Sequence, residues 1–341
     1  MKQRSTQDSR TAQSRALAQS LRCYRAPNNT RSAVEVAITA APFALLWITA
    51  CVALEAGYWG ALLLTVPAAA FLVRLFMIQH DCGHRSFFRH RLANDLVGRV
   101  IGVLTLTPYD FWRRTHALHH AGSGNLDRRG IGDVTTLTVR EYVALSGPRR
   151  LLYRLYRHPF VMFGIGPAYL FIFRHRLPVG RSRRRLQPWL SAMATNAAIA
   201  AVAGILIWQI GLGDFLLVQL PITLIAASIG VWLFYVQHQF EDTFWARDAG
   251  WEFHVGGLHG SSHYDLPVVL RWLTANIGVH HVHHLCSQIP YYRLPQVLRD
   301  HPEVAAVGRL TLMQSLRCVN KAVWDEDRQR LVSFREMAAA R

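Results

Sequence analysis

Four apolar runs interrupt an otherwise polar and basic chain, at residues 33–54, 58–78, 188–210 and 215–237. Each approaches the ~20 helical residues that cross a ~30 Å hydrocarbon layer, so each predicts a spanning helix. The connections 55–57 and 211–214 are short, which pairs the spans as two hairpins. Pro67 and Pro221 fall inside spans, where neighbouring helices can satisfy the carbonyls that a proline frees. Two weaker stretches, 96–106 and 160–173, are too short to cross comfortably and predict interfacial or buried segments.

The ends read differently. Residues 1–32 form a basic arm without the apolar core of a signal peptide, so the first span is expected to direct insertion as well. The arm is expected to be disordered or to lie on a surface, with Leu17, Leu21 and Tyr24 allowing a short interfacial helix. The main body is expected over 33–300, followed by a tail, 301–341. From about 296 onward Leu298, Val304, Val307, Leu310 and Leu312 alternate with charges at helical spacing. That pattern predicts packing beneath the body, with the chain exposed from Trp324 on.

Composition supports a membrane solvent: 51% of the 341 residues are hydrophobic and 17% charged, against ~25% charged in soluble domains. The balance is strongly basic, 38 Lys+Arg against 21 Asp+Glu. Every Lys and Arg except Arg74 lies in the arm, in 79–187 or in the tail from 238 on, and the two short connections carry none. By the positive-inside rule both termini and the middle segment are cytoplasmic, at an inner membrane. The excess charge then faces anionic lipid head groups, and a nucleic-acid partner is excluded. The arginine run 181–185 is expected to anchor the third span. The fold class is therefore an all-α integral membrane protein with four transmembrane helices and a cytoplasmic helical cap. Five cysteines with no C-x-x-C pair make no disulfide framework and suit a reducing compartment.

Histidines carry the chemistry. His80 and His84 stand at i, i+4; His116, His119 and His120, and likewise His280, His283 and His284, stand at i, i+3, i+4. On a helix each set shares one face. His80 follows the second span and His238 the fourth, so both emerge on the side where the other two clusters lie. Nine imidazoles gain little from each other unless a metal bridges them, and nine donors exceed the needs of one ion. Two histidine-rich sites with open positions suit iron and oxygen chemistry, while spacing by itself leaves zinc open.

These boxes sit in the stretches QHDCGHRSFFR (79–89), WRRTHALHHAGSGNLDRRGIGDV (112–134), FYVQHQFEDTFW (234–245) and NIGVHHVHHLCSQIPYYRLP (276–295). So placed, the chain resembles the membrane-bound fatty acid desaturases over about residues 33 to 300, most closely the bacterial acyl-lipid, omega-6 type. The stretch Gly124-Asn-Leu-Asp-Arg-Arg-Gly130 makes the likeness more specific than the histidines alone. One departure is a tyrosine in Pro290-Tyr-Tyr-Arg293 where asparagine is expected; His259 and His263 are unusual too. The resemblance implies a centre of two iron ions (Fe2+/Fe3+), with O2 as co-substrate, that removes two hydrogens from adjacent methylenes. It assigns His80, His84, His116, His119, His120, His238, His280, His283 and His284 as ligands and leaves His281 outside the set. It also implies an acyl-lipid substrate (or acyl-CoA or acyl-carrier).

Carboxylates that could accept the outward N–H of a ligating imidazole are Asp81, Asp110, Asp127, Asp133, Glu241 and Asp242; each could equally be solvated or capping. Asn276 reads as a weak ligand or a helix residue, and Cys82 and Cys286 as small apolar packing. No dinucleotide fingerprint, P-loop, Ser-His-Asp elbow or H-E-x-x-H occurs, nor an H-P-G-G haem motif. Electrons must then come from a separate donor such as a ferredoxin or a cytochrome-type protein. Two rivals remain: a related hydroxylase or ketolase acting on lipid or carotenoid, and a non-enzymatic metal transporter or sensor. A transporter should place ionisable ligands near mid-membrane, whereas these histidines lie outside the apolar runs.

Overall fold

The apolar runs fold as helices Asn29–Glu55, Trp59–His84, Leu186–Ile210 and Leu212–His238, each long and apolar enough to cross a bilayer. The computed structural model describes residues 2–178 and 184–339, with side chains from residue 8 on. The chain is mostly helical. Asn28 caps the first span, its side chain accepting from the Arg31 N–H at 3.0 Å. Pro67 turns out to occupy the first turn of the helix Thr65–His84, where a missing N–H costs nothing. Pro42 and Pro221 are the interior prolines of the spans. The second span lies at the centre, packed on the first and fourth. Ala68, Ala69, Leu72, Leu75 and Ile78 are buried along it. The third span is exposed almost all round, as a helix facing lipid should be. The part of the predicted anchor at 181–183 lies outside the described residues; Arg184 and Arg185 are exposed just before the span.

The weaker apolar stretches stay short. Helix Arg91–Leu104 would reach only about 21 Å, and Leu92, Leu96, Val100 and Leu104 form an exposed row on it. Around 160–173 the backbone winds partly as π-helix and exposes Phe160, Ile165, Tyr169 and Phe173. Both are interface-lying patterns.

The two ends depart from expectation. Most of the arm is a helix, Lys2–Ser20, packed on the helix Phe253–His259, with Arg15 paired to Glu252 at 3.1 Å. Leu21 is fully buried, and the Tyr24 hydroxyl donates to Asp300 at 2.7 Å. The tail is not simply exposed from Trp324 on, because Trp324, Leu331, Val332 and Met337 are buried. Strands β1 (Leu137–Thr138), β4 (Lys321–Asp325) and β5 (Arg330–Ser333) form a sheet in the order β1-β4-β5, and β2 (His263–Asp265) runs parallel to β3 (Arg309–Thr311). Trp324 packs with Leu126, Trp245 and Leu331, so the tail clamps the loop after the second histidine box.

Candidate metal centre

Helix ends deliver the histidines. The second span stops at His84, where Arg85 adopts a left-handed cap (φ +56°). Gly83 is glycine for a reason: a Cβ there would lie 2.8 Å from the Trp112 ring. Helix Tyr109–Gly122 carries His116, His119 and His120 on one face. It is followed by a loop in which Gly124 (φ +74°) leaves no room for a Cβ, which would meet the Phe244 carbonyl at 2.8 Å. The short helix His280–Leu285 presents the third box after a left-handed turn at Ala275 and Asn276. Asn276 is thus a turn residue, neither helical nor among the histidines, and its side chain donates to the Tyr291 carbonyl at 3.4 Å.

Two groups of imidazoles result. His80, His84, His116, His120 and His283 form one, His119, His238 and His284 the other. Within the first, Nε2 atoms of His84 and His116, His116 and His120, and His120 and His283 lie 3.0, 3.1 and 3.2 Å apart. His280 joins the second: its Nε2 is 3.0 Å from that of His238 and 3.1 Å from that of His284, while His119 Nε2 is 3.2 Å from that of His238. The groups touch where His120 and His284 stack, centroids 4.0 Å apart. All nine histidines nominated by the sequence therefore converge.

Burial, then repulsion from neighbouring imidazoles, holds His116, His120, His280, His283 and His284 well below the usual histidine range. Their rings are neutral at pH 7, each with a free lone pair on one nitrogen. Neutral imidazoles whose nitrogens face one another around two points form a donor set that a divalent transition metal fits.

Outward nitrogens are partly held. His80 Nδ1 lies 3.2 Å from Asp81, His119 Nδ1 3.2 Å from Asp133, and His238 Nδ1 3.3 Å from the Gly260 carbonyl. The other carboxylates serve elsewhere: Asp110 pairs with Arg99, Asp127 with Arg247 and the Asp248 N–H, Glu241 with Lys321 and Arg330, and Asp242 is exposed. Cys82 and Cys286 are buried outside both groups, the Cys286 thiol accepting from Arg25. His281 bonds the Val304 carbonyl at 3.0 Å and His263 the Ala305 carbonyl at 2.6 Å, stacked on each other, so both are structural. Sequence reasoning missed Trp112, which stacks on His116 at 4.7 Å. Its i, i+4 spacing from that histidine was the available signal. The Gly260 carbonyl left none.

Similarity to known proteins follows the same residues. The sequence model of the family described as fatty acid desaturase matches residues 56–315. The chain belongs to the fatty acid desaturase family. It is 45% identical over 319 residues to a fatty acid desaturase of Bacillus subtilis (strain 168), covering 94% of this chain and 90% of that one. It is 31% identical over 224 residues to an sn-1 oleoyl-lipid 12-desaturase of Synechocystis sp., covering 65% of this chain and 63% of that one. An sn-1 acyl-lipid omega-3 desaturase (ferredoxin) of the same organism is 32% identical over 235 residues, 64% and 61% of the two chains. This desaturase is an integral membrane oxidoreductase that introduces double bonds into fatty acyl chains.

Proposed function

We propose that this desaturase forms a cis double bond in a lipid-linked acyl chain, with O2 as oxidant, at two iron ions held by the nine histidines. His80, His84, His116, His120 and His283 would hold one ion, and His119, His238, His280 and His284 the other. The observation that carries this reading is the convergence of nine imidazoles into these two groups, eight of them with a nitrogen 3.0–3.2 Å from a neighbour's and His80 within the first group. Bound iron supplies the oxidant that an unactivated methylene requires and no side chain provides. Forming the double bond while O2 goes to two waters takes up two electrons and two protons, so a ferredoxin or cytochrome-type donor is part of the proposal. A relative whose name specifies ferredoxin supports it.

The protein's own residues do the rest. Asp81 and Asp133 fix which nitrogen of His80 and His119 faces inward by accepting from the other. Apolar walls, including the half-buried Phe234 with its ring centre 5.2 Å from that of His119 and 5.1 Å from that of His238, keep water from the reacting carbons. A chain entering from the bilayer is then held with its methylenes beside the centre. Both termini are assigned to the cytoplasmic side of the inner membrane, from the charge asymmetry of the connections.

Expression in a host with saturated and monounsaturated lipids should yield new cis double bonds on lipid profiling. His→Ala changes at His80, His119, His238 and His283 should each abolish the product while the protein still inserts. His90, which is exposed outside the cluster, should tolerate the same change. A hydroxylated or keto product from the unaltered protein would overturn the reading.

A further inference from the structure

A cavity of about 500 Å3, unused by the chemistry above, opens beside the metal centre. Its floor is a charge network around the buried Glu35. One Glu35 oxygen accepts from the Arg74 guanidinium at 2.5 Å and from the Tyr291 hydroxyl at 3.0 Å, and the other pairs with Arg31 at 2.6 Å. Arg74 also donates to the Trp272 carbonyl and lies 4.1 Å from the centroid of the Trp272 ring. Arg271 and Arg299 also line it, and among the described residues no carboxylate is paired with either. Glu35 is the one carboxylate among four lining arginines, so the cavity is built for an anion.

The surroundings identify the anion's source. Helix Val268–Leu273 borders the cavity and leaves Val268 and Val269 largely exposed, with Leu270 and Trp272 partly so. Bare apolar side chains, a tryptophan and arginines with long apolar stems together match the interfacial band of a bilayer. A site for a water-soluble anion has no use for that apolar rim. Tyr291 and Val279 line the cavity on the inner side. The Tyr291 N–H donates at 2.7 Å to Asp81, whose other oxygen lies 3.2 Å from His80 Nδ1, and Val279 directly precedes His280. The cavity and the metal centre share a wall.

We propose that this cavity binds the phosphate of a membrane glycerophospholipid and thereby holds the head of the lipid whose acyl chain is desaturated. The proposal rests on the acyl-lipid reading above. Arg271 and Arg299 are the receptors, because their guanidiniums are not engaged by a carboxylate and suit a phosphodiester's paired oxygens. Arg31 and Arg74 are held by Glu35 and fix the charge of the floor.

The test uses the full-length enzyme in detergent micelles, offered phosphatidylglycerol, diacylglycerol or acyl-CoA with identical chains, with and without millimolar inorganic phosphate, and read by native mass spectrometry. The unaltered protein should retain phosphatidylglycerol in preference. R271Q/R299Q should lower that retention about tenfold and leave diacylglycerol retention unchanged, with iron content and thermal stability as in the parent. R271K/R299K should recover part of the retention. In turnover, R271Q/R299Q should raise KM for phosphatidylglycerol about tenfold and change kcat less than about twofold. Equal retention of both lipids by the parent, or undiminished phosphatidylglycerol in R271Q/R299Q, overturns the proposal. So does displacement of the lipid by millimolar inorganic phosphate, or an arginine-dependent preference for acyl-CoA over phospholipid. Normal, arginine-dependent lipid retention in a protein that makes no double bond would sink the functional reading and leave this site standing.

Discussion

His119 Nδ1 lies 3.2 Å from Asp133 Oδ1, and the other oxygen of that carboxylate accepts from the Gly130 N–H at 3.0 Å. Gly130 sits at φ +90°, a conformation that side chains disfavour. The glycine-rich loop after the second box therefore holds the carboxylate, and the carboxylate holds the imidazole.

Asp133→Asn keeps the shape but weakens acceptance from His119. Such changes typically cost about 10–100-fold in metal affinity or activity. Activity measured against added iron should shift by that order, and Asp110→Asn, whose carboxylate pairs with Arg99 instead, should stay near the parent. An Asp133→Asn protein with the parent's iron dependence would remove the loop from the site.

The spans and the nine histidines were legible because lipid imposes a strict length on apolar runs and helical spacing fixes which imidazoles share a face. Two carboxylates of the six nominated, Asp81 and Asp133, reach one of the nine histidines, since sequence shows a carboxylate's nearness in the chain and not its direction. The tail misled for a related reason. Its strands are only three to five residues long and two of them pair with distant ones, as Val323 does with Leu137, so no period-2 pattern builds up. The arm's helix is mostly polar and gains its place from a few residues such as Leu21 and Tyr24 meeting a distant surface.

His280 and His281 are adjacent and equally buried, yet they should behave oppositely. His280→Ala removes a donor from the group of His119, His238 and His284, and iron should fall from about two to about one per chain. His281→Asn should leave iron at about two. It disturbs the bond to the Val304 carbonyl, at a cost of about 1–3 kcal/mol of stability. Iron analysis and thermal melting of both proteins decide the assignment, and loss of metal from the His281 variant would count against it.

Topology can be read with single thiols. Four of the five cysteines are buried and Cys23 is exposed, so Cys23→Ser supplies a quiet background. Ala56 and Gly213, both exposed, suit the two short connections; Gly57 does not, because its φ of +85° penalises a side chain. Cysteine at either position should react with an impermeant reagent added outside intact cells. Cysteine at the exposed Ala144 or Gln296 should react only after the membrane is opened. The reverse pattern would invert the proposed orientation.

Trp324 is 1% exposed, walled by Leu126, Trp245 and Leu331. Trp324→Ala should cost about 3–5 kcal/mol, seen as a lower melting temperature. Because Leu126 belongs to the loop that leads to Asp133, iron retention should weaken too. A tail that merely trails in solvent would show neither effect.

Acid should act on the same tail through Glu336. Partial burial raises its pKa, but bonds from the Ser333 N–H at 2.6 Å and the pair with Lys321 at 3.1 Å outweigh it and pull the carboxyl from 4.5 to about 2. A carboxylate with a depressed folded-state value adds stability above pH 4.5 and loses it as the pH falls toward 2. The side chain is 38% exposed, so solvent screens the pair and the contribution is modest. Melting temperatures of the parent and Glu336→Gln should therefore differ most at pH 6, draw together from pH 4.5 downward and meet only as the pH nears 2. Taking the difference between the two proteins cancels the titration of the other carboxylates. A constant gap across that range would mean that Glu336 is not held as an anion by Lys321 and Ser333.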